Sequence, residues 1–156
     1  MFWKHYENLM KYFNNKEGTI VIKTPHLSVD GIIKLYNEEN VFLGIILIER
    51  LNKPHGIALP GGFVDVGESI EFALVREMKE ETNLDIKIEK LLNVYSDPKR
   101  DARFHTASVV YICTANGKPK ALDDAKNIFI YKHDDIPFKK LVFDHEKIIR
   151  DYLESV

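Results

Sequence analysis

The sequence predicts an α/β or α+β fold in which helices cover a mixed β-sheet. Segments rich in β-branched residues are interspersed with amphipathic helical patterns along the chain. The segment VFLGIILIER, residues 41–50, is almost wholly apolar, as expected for a strand that is covered on both faces. No shift in composition suggests a linker, so we expect one domain over residues 1–156.

The first fifteen residues predict an amphipathic helix. Its apolar residues recur at spacings of three and four, at Phe2, Tyr6, Leu9, Met10 and Phe13. A helix that lies on a membrane would carry more Lys and Arg on its polar face. The stripe is therefore expected either to pack on its own domain or to contact a second subunit in a homodimer.

Strands and helices then follow one another to the end of the chain. Strands are predicted at 19–24, 27–37, 41–50, 56–60, 84–96, 105–115 and 127–132, with turns at 37–40 and 116–120. A helix capped by Ser69 should run to about Thr82, where Asn83 suits a left-handed ending. Asp144 is expected to cap a last helix over residues 145–156.

Composition narrows the classes of function. The formal net charge is −2, which gives no general attraction to nucleic acid or to membranes. Cys113 is the one cysteine, so no internal disulfide can form and a reducing cytoplasm is expected, with Cys113 filling the core. We find no signal peptide, and no apolar run reaches the roughly 18 residues of a membrane span.

The helix that follows Ser69 carries acids where apolar residues belong. At about 100° per residue, Ile70, Ala73 and Leu74 define an inward stripe that also contains Glu77 and Glu81. Glu80 lies beside this stripe. Most Glu-rich helices are simply solvated, but acids on a solvated face should avoid the apolar stripe. Carboxylates that are turned inward and crowded together would raise each other's pKa or need a partner.

Two partners suit these carboxylates. Arg76 is adjacent in sequence and can pair with one acid, for which Glu68 is suitable. A divalent cation such as Mg²⁺ can bind the others, and it usually completes its shell with water and substrate phosphates. A Gly61-Gly62 turn would let the backbone approach a ligand or present a carbonyl to the metal.

The spacing of these residues carries a family resemblance. From Gly62 the chain has five residues, Glu68, seven more residues, and then REMKEETNL from Arg76 to Leu84. The segment 62–84 resembles the Nudix box of the Nudix hydrolases, and the strand pattern extends the resemblance over most of residues 19–155. Asn83 stands where the box usually has Gly. We expect a small loss of stability there and intact chemistry.

The resemblance implies an α/β/α sandwich around a mixed sheet and hydrolysis of a diphosphate linkage with Mg²⁺ or Mn²⁺. It implies that Glu77 and Glu81 are the principal metal ligands, with Glu80 a further ligand or the base. Glu68 would orient Arg76, and the carbonyl of Gly61 or Gly62 would complete the metal shell or approach the substrate. Water bound to such a metal becomes a nucleophile near neutral pH.

A second segment, YSDPKRDARFHT at residues 95–106, bears on the substrate. It holds cationic side chains at Lys99, Arg100, Arg103 and His105. They could simply be solvated, or they could clamp phosphate and ribose, because Arg matches phosphate oxygens bidentately. The segment resembles ADP-ribose pyrophosphatase-like Nudix proteins, with Ala102 in place of a proline; TPHLSVDGIIKL (24–35) and FDHEKIIRDYL (143–153) resemble them too.

Further polar residues flank the box in sequence. Arg50 and Lys53 precede it and are candidates for phosphate contacts, and Asp123 and Asp124 are candidates for an additional acid. The resemblance implies hydrolysis of ADP-ribose to AMP and ribose 5-phosphate. The alternatives are an enzyme acting on a nucleoside triphosphate, including an oxidised one, and a nucleotide-sensing module without catalysis. Because the box keeps its acids, an enzyme is favoured.

Overall fold

A seven-stranded mixed sheet forms the centre of the computed structural model, which describes residues 24–156. The N-terminal helix predicted over residues 1–15 lies outside the described residues, as does the strand predicted from residue 19 except for Thr24. The strands are His26–Tyr36 (β1), Phe42–Arg50 (β2), Ile57–Ala58 (β3), Gly61–Phe63 (β4), Ile86–Tyr95 (β5), Thr106–Asn116 (β6) and Ala125–Tyr131 (β7). The helices are Ile70–Thr82 (α1) and His145–Glu154 (α2), with short 3-10 turns at His133–Asp135 and Phe138–Lys140.

Strand β1 organises the sheet. It pairs in parallel with β6 along its whole length and antiparallel with β2 and with the short β4. Strand β5 continues the sheet beyond β6, while β3 and β7 pair with β2. The central position of β1 places residues from β2, β4 and β6 beside it.

Apolar layers cover both faces of the sheet, which confirms the predicted α/β/α sandwich. On one face Leu74 and Met78 of α1 pack in a core with Ile46 of β2. On the other face Ile148 and Tyr152 of α2 lie in a second core. Ile45 and Leu47 of β2 belong to that second core. The apolar run in β2 thus reflects burial on both faces.

The ends of α1 follow the sequence prediction. The Ser69 hydroxyl oxygen accepts a hydrogen bond from the Phe72 N–H at 3.2 Å, which satisfies a free backbone donor of the first turn. Asn83 adopts the left-handed conformation with φ of 59°, and its N–H donates to the carbonyl of Lys79. No helix within residues 24–156 is both long and apolar enough to cross a membrane.

Asp144 is the N-cap residue of α2, as predicted, but its carboxylate makes no capping hydrogen bond. Both of its oxygens accept from Arg100 instead, at 3.0 and 2.8 Å. A charged bidentate pair is stronger than a hydrogen bond to a backbone N–H, so the ion pair takes the carboxylate.

Candidate active site

Glu81 is a buried carboxylate near the end of α1. Its residue is 2% exposed, and its Oε2 accepts a hydrogen bond from the Gly61 N–H at 2.8 Å. Burial raises its pKa to about 8, and the nearby carboxylates of Glu77 and Asp30 act in the same direction. The fold therefore holds an acid where its negative charge is poorly solvated, which favours either a proton or a metal ion beside it.

Glu77 and Glu80 lie one turn and one residue before Glu81. Glu77 is largely buried, and burial raises its pKa even though Arg76 Nη1 donates to it at 2.8 Å. The Glu80 side chain is 45% exposed and accepts from the same Nη1 at 3.0 Å. The structure thus places Glu77 and Glu81 toward the interior and Glu80 beside them, in the predicted phase.

Arg76 ties the acidic helix to the segment before it. Its Nε and Nη2 donate to the two oxygens of Glu68 at 2.8 and 3.0 Å, and Nη2 also donates to the Phe63 carbonyl at 3.0 Å. This guanidinium, together with the Asp65 N–H, lowers the pKa of Glu68 to about 2. Glu68 is therefore a permanent anion that fixes Arg76 beside Glu77 and Glu80.

The Gly61-Gly62 pair is not a turn, contrary to the sequence prediction. Both residues lie in β4, extended and paired with Asp30 and Val29 of β1. A Cβ at Gly61 would collide with the Val29 carbonyl and come within 2.6 Å of Asp30 Oδ1, and one at Gly62 would collide with the Glu77 carboxylate. Glycine is needed here because side chains and backbone crowd the strand, and not because a turn demands it.

These groups line a cavity of about 420 Å³. Glu77, Glu80 and Glu81 share its wall with Gly61 and Gly62 of β4. Among the other residues that the sequence indicated, Arg50, Arg76, Arg100, Arg103, Asp123 and Asp124 also line it. Carboxylates and guanidinium groups on one wall suit a ligand that carries both metal and phosphate.

Besides Arg76, the cavity is lined by Arg50, Arg100 and Arg103, which are held in different ways. Arg100 is 9% exposed, and it donates to Asp144 and, through Nη1, to Thr106 Oγ1 at 3.0 Å. Arg103 is more open: its guanidinium pairs with Asp101 at 2.8 Å and also donates to the Lys53 carbonyl at 3.2 Å. A buried ion pair restricts Arg100 more than Arg103.

Arg50 completes the cationic set. Its Nε donates to the Pro54 carbonyl at 3.0 Å, and its guanidinium carbon lies 5.0 Å from the centre of the Phe143 ring. Arg103 approaches the same ring at 5.4 Å. Phe143 has a φ of 57°, which is rare for a bulky residue, and its ring contacts both arginines and lines the cavity with them.

Several residues of the cavity went unpredicted. Asp30 of β1 is buried and accepts from the Ser108 hydroxyl, with Arg100 Nη2 at 3.7 Å. An acid within the apolar strand LSVDGIIKL was the available signal. His145 shares the spacing of the buried Ile148, Ile149 and Tyr152, so a polar residue on the inward stripe of α2 was a signal too.

The donors of this cavity fit a hard divalent cation. Glu77, Glu80 and Glu81 offer the oxygen ligands that Mg²⁺ and Mn²⁺ take. Burial leaves the Glu81 carboxylate poorly solvated and raises its pKa. A cation beside it would stabilise the charged form. Within residues 24–156, no three acidic, histidine or cysteine side chains already converge as a metal-holding group.

Comparisons with known proteins show the family of the chain. A family model described as NUDIX domain matches residues 25–152. An ADP-ribose pyrophosphatase of Methanocaldococcus jannaschii is 49% identical over 132 residues, which are 83% of this chain and 73% of that protein.

Solved structures share the fold. The NUDIX domain of Shewanella oneidensis NrtR, complexed with ADP ribose, is 25% identical with a TM-score of 0.67, and the match covers 96% of this chain and 97% of that one. A bifunctional NMN adenylyltransferase/ADP ribose pyrophosphatase from Francisella tularensis, complexed with AMP and Mn ion, is 25% identical with a TM-score of 0.74. That match covers 99% of this chain and 46% of the Francisella chain, so this chain spans about half the length of the bifunctional protein.

Glu77, Glu80 and Glu81 line one cavity, and the family match extends over nearly all of the described residues. The chain therefore belongs to the Nudix hydrolase family.

Proposed function

We propose that this hydrolase cleaves the diphosphate linkage of ADP-ribose and releases AMP and ribose 5-phosphate. The observation that carries the proposal is the single cavity in which the acids of α1 meet arginines from β2 and from the loop before β6. The 49% identity to an ADP-ribose pyrophosphatase supports this substrate.

We assign the metal to the acids of α1. Glu77 and Glu81 would be its principal ligands, with Glu80 as a further ligand or as the base, and the Gly62 carbonyl would complete the protein part of the shell. The ion is Mg²⁺, with Mn²⁺ as a substitute. When bound, it neutralises the diphosphate and activates a water molecule for attack at phosphorus.

The remaining residues bind and orient. Glu68 holds Arg76 through two hydrogen bonds, and Arg76 in turn holds Glu77 and Glu80 beside the cavity. Arg103 and Arg50 line the cavity and would contact phosphate oxygens, and the lack of a side chain at Gly61 would let the substrate approach the backbone. Arg100 lines the same cavity, and its bond to Asp144 makes its contribution both structural and electrostatic.

Two broader proposals accompany the activity. We propose a homodimer, supported by the apolar stripe in the sequence of residues 1–15. We also propose a cytoplasmic location, supported by Cys113, a buried free thiol whose pKa burial raises to about 12.

The test is a product analysis on a panel of nucleotides. The purified protein is incubated with Mg²⁺ and ADP-ribose, an ordinary nucleoside triphosphate, or an oxidised one, and a sample with a chelator is the control. We expect AMP and ribose 5-phosphate from ADP-ribose and no reaction with the chelator. Cleavage of a triphosphate with ADP-ribose left intact would refute the proposal, and so would tight binding of ADP-ribose without turnover.

A further inference from the structure

The segment Phe143–Asp144–His145 leads into α2, and its last residue is a buried histidine that lines the cavity. His145 is 2% exposed and shares the inward face of α2 with Ile148 and Tyr152. A leucine would suit this position on packing alone. A fully buried imidazole must satisfy its ring nitrogens, so its hydrogen bonds indicate its purpose.

The hydrogen bond that the His145 ring accepts defines its tautomer. The Leu59 N–H donates to Nδ1 at 2.9 Å, so Nδ1 carries no proton and Nε2 does. Nε2 lies 3.7 Å from Asp30 Oδ1. Burial lowers the pKa of His145, which keeps the ring neutral. The ring is thereby held as an acceptor for one particular backbone N–H.

That backbone N–H belongs to the segment that holds Glu81. Two residues after Leu59, the Gly61 N–H donates to Glu81 Oε2 at 2.8 Å. Pro60 between them has no N–H to donate, and its carbonyl accepts from the Gly31 N–H at 3.0 Å. The bond from Leu59 to His145 thus fixes this backbone on the side before Pro60, while the pairing of β4 with β1 fixes it from Gly61 onward.

We propose that His145 is a positioning residue: it fixes the Leu59–Gly61 backbone so that the Gly61 N–H holds the Glu81 carboxylate in place for the metal ion. The inference rests on the proposed role of Glu81 as a metal ligand. Groups behind the ligands of a metal site commonly determine its affinity in this way. The competing account is that the imidazole only fills space beneath α2.

Substitutions at His145 separate these two accounts. In His145→Asn the side-chain amide oxygen can take the place of Nδ1 and accept from Leu59, whereas in His145→Gln the amide lies farther out, near Nε2. His145→Leu fills the space and cannot accept. His133→Leu is the matched control. His133 Nε2 lies 3.2 Å from the Tyr152 hydroxyl, and His133 is not one of the residues that line the cavity.

The measurement is the affinity of each full-length variant for Mn²⁺ alone, by calorimetry. We expect His145→Leu and His145→Gln to bind Mn²⁺ about 10–100-fold more weakly than the unaltered protein, in the range seen for groups behind metal ligands. His145→Asn and His133→Leu should retain most of the affinity. The expected order of Mn²⁺ affinities therefore depends on whether the side chain offers an acceptor to the Leu59 N–H, and not on the volume of the side chain.

Three results would overturn the inference. The first is unchanged Mn²⁺ affinity in a folded His145→Leu protein. The second is equal affinity in the Asn and Gln variants, a comparison that still decides if His145→Leu does not fold. The third is an unaltered protein that binds no Mn²⁺. Because no nucleotide is used, a protein whose Mn²⁺ affinity depends on His145 but which leaves ADP-ribose intact would refute the proposed substrate alone.

Discussion

At the scale of single residues, Glu81 and Glu68 show how one fold moves two similar carboxylates in opposite directions. Burial raises the pKa of Glu81 to about 8, whereas Arg76 and a backbone N–H lower the pKa of Glu68 to about 2. At neutral pH without metal, Glu68 is ionised and Glu81 is largely protonated. Glu68, which holds Arg76, is thus charged throughout this pH range, whereas Glu81 loses its proton when a cation binds beside it.

This difference predicts how the stability of the metal-free protein depends on pH. Between its ordinary pKa of 4.5 and the raised value, Glu81 holds a proton in the folded state that the unfolded chain has lost. Its contribution to the free energy of unfolding should therefore fall as pH rises from 5 to 8, by at most about 1.4 kcal/mol per pH unit. Glu68 adds no slope in this window, because its stabilisation is lost only as pH falls toward 2.

Urea unfolding at pH 5 and pH 8 with a chelator checks this expectation. Glu81→Gln removes this titrating group and retains its shape, so the variant should lose the part of the slope that Glu81 contributes and be the more stable protein at pH 8; the raised pKa of Glu77 leaves a smaller slope in both proteins. Parallel pH dependence in the two proteins would show that the pKa of Glu81 is not raised in the fold.

The two arginines of the loop before β6 should respond differently to truncation. Arg103→Ala is expected to lower kcat/KM for ADP-ribose by one to two orders of magnitude, about the value of a charge-assisted contact, with little change in stability. Arg100→Ala should also lower the free energy of unfolding by about 3 kcal/mol, because Asp144 and Asp30 lose their buried partner. Urea unfolding and steady-state kinetics measure both; unaltered kinetics in both variants on each cleaved substrate would exclude a substrate clamp.

At the scale of elements, α1 is capped at its end by Asn83, which is less favourable than glycine in the left-handed conformation found there. Asn83 has a φ of 59°, a conformation that glycine adopts without strain. We expect Asn83→Gly to stabilise the protein by about 0.5 kcal/mol and Asn83→Ala to destabilise it by about 1 kcal/mol. The kcat of both variants should match that of the unaltered protein. Thermal unfolding measures the effect, and a less stable glycine variant would contradict it.

Local signals explain which elements the sequence predicted well. The ends of α1 follow from Ser69 and Asn83, which act through bonds to neighbouring residues. Strand β2 follows from its apolar run. Strand β4 was missed because two adjacent glycines usually signal a turn. In the fold these glycines pair with β1, and the nearby Asp30 and Glu77 leave little room for a side chain at either position.

The missed contacts of the site join residues that are far apart in sequence. The pair Arg100–Asp144 and the bond from Leu59 to His145 link segments 44 and 86 residues apart, and no periodicity reports such distances. The spacing of residues 62–84 predicted the acids of α1 because they share one helix. Residues on one element can be predicted from pattern, whereas residues that meet through the tertiary fold require the structure.

At the scale of the whole molecule, the proposed homodimer is a prediction about residues 1–15. A short helix is marginal by itself in water, so an apolar stripe there needs a surface to pack against. Deleting residues 1–15 should shift the protein from dimer to monomer and leave Mn²⁺ binding intact. Light scattering gives the mass, and Leu9→Asp is a full-length variant that should act in the same way. Full-length protein that is monomeric at high concentration would contradict the dimer.

The central proposal is that the protein hydrolyses the diphosphate of ADP-ribose at a metal ion that Glu77 and Glu81 would hold, and ³¹P NMR tests it most directly. Spectra of ADP-ribose with saturating Mg²⁺ are recorded over time with equal amounts of folded unaltered protein and Glu81→Gln. We predict that the unaltered protein replaces the diphosphate signals with those of two phosphomonoesters, AMP and ribose 5-phosphate. Glu81→Gln should do so at least about 100-fold more slowly, since it lacks a charged ligand. Near-equal rates in the two proteins, or diphosphate signals that persist with both, would contradict the account.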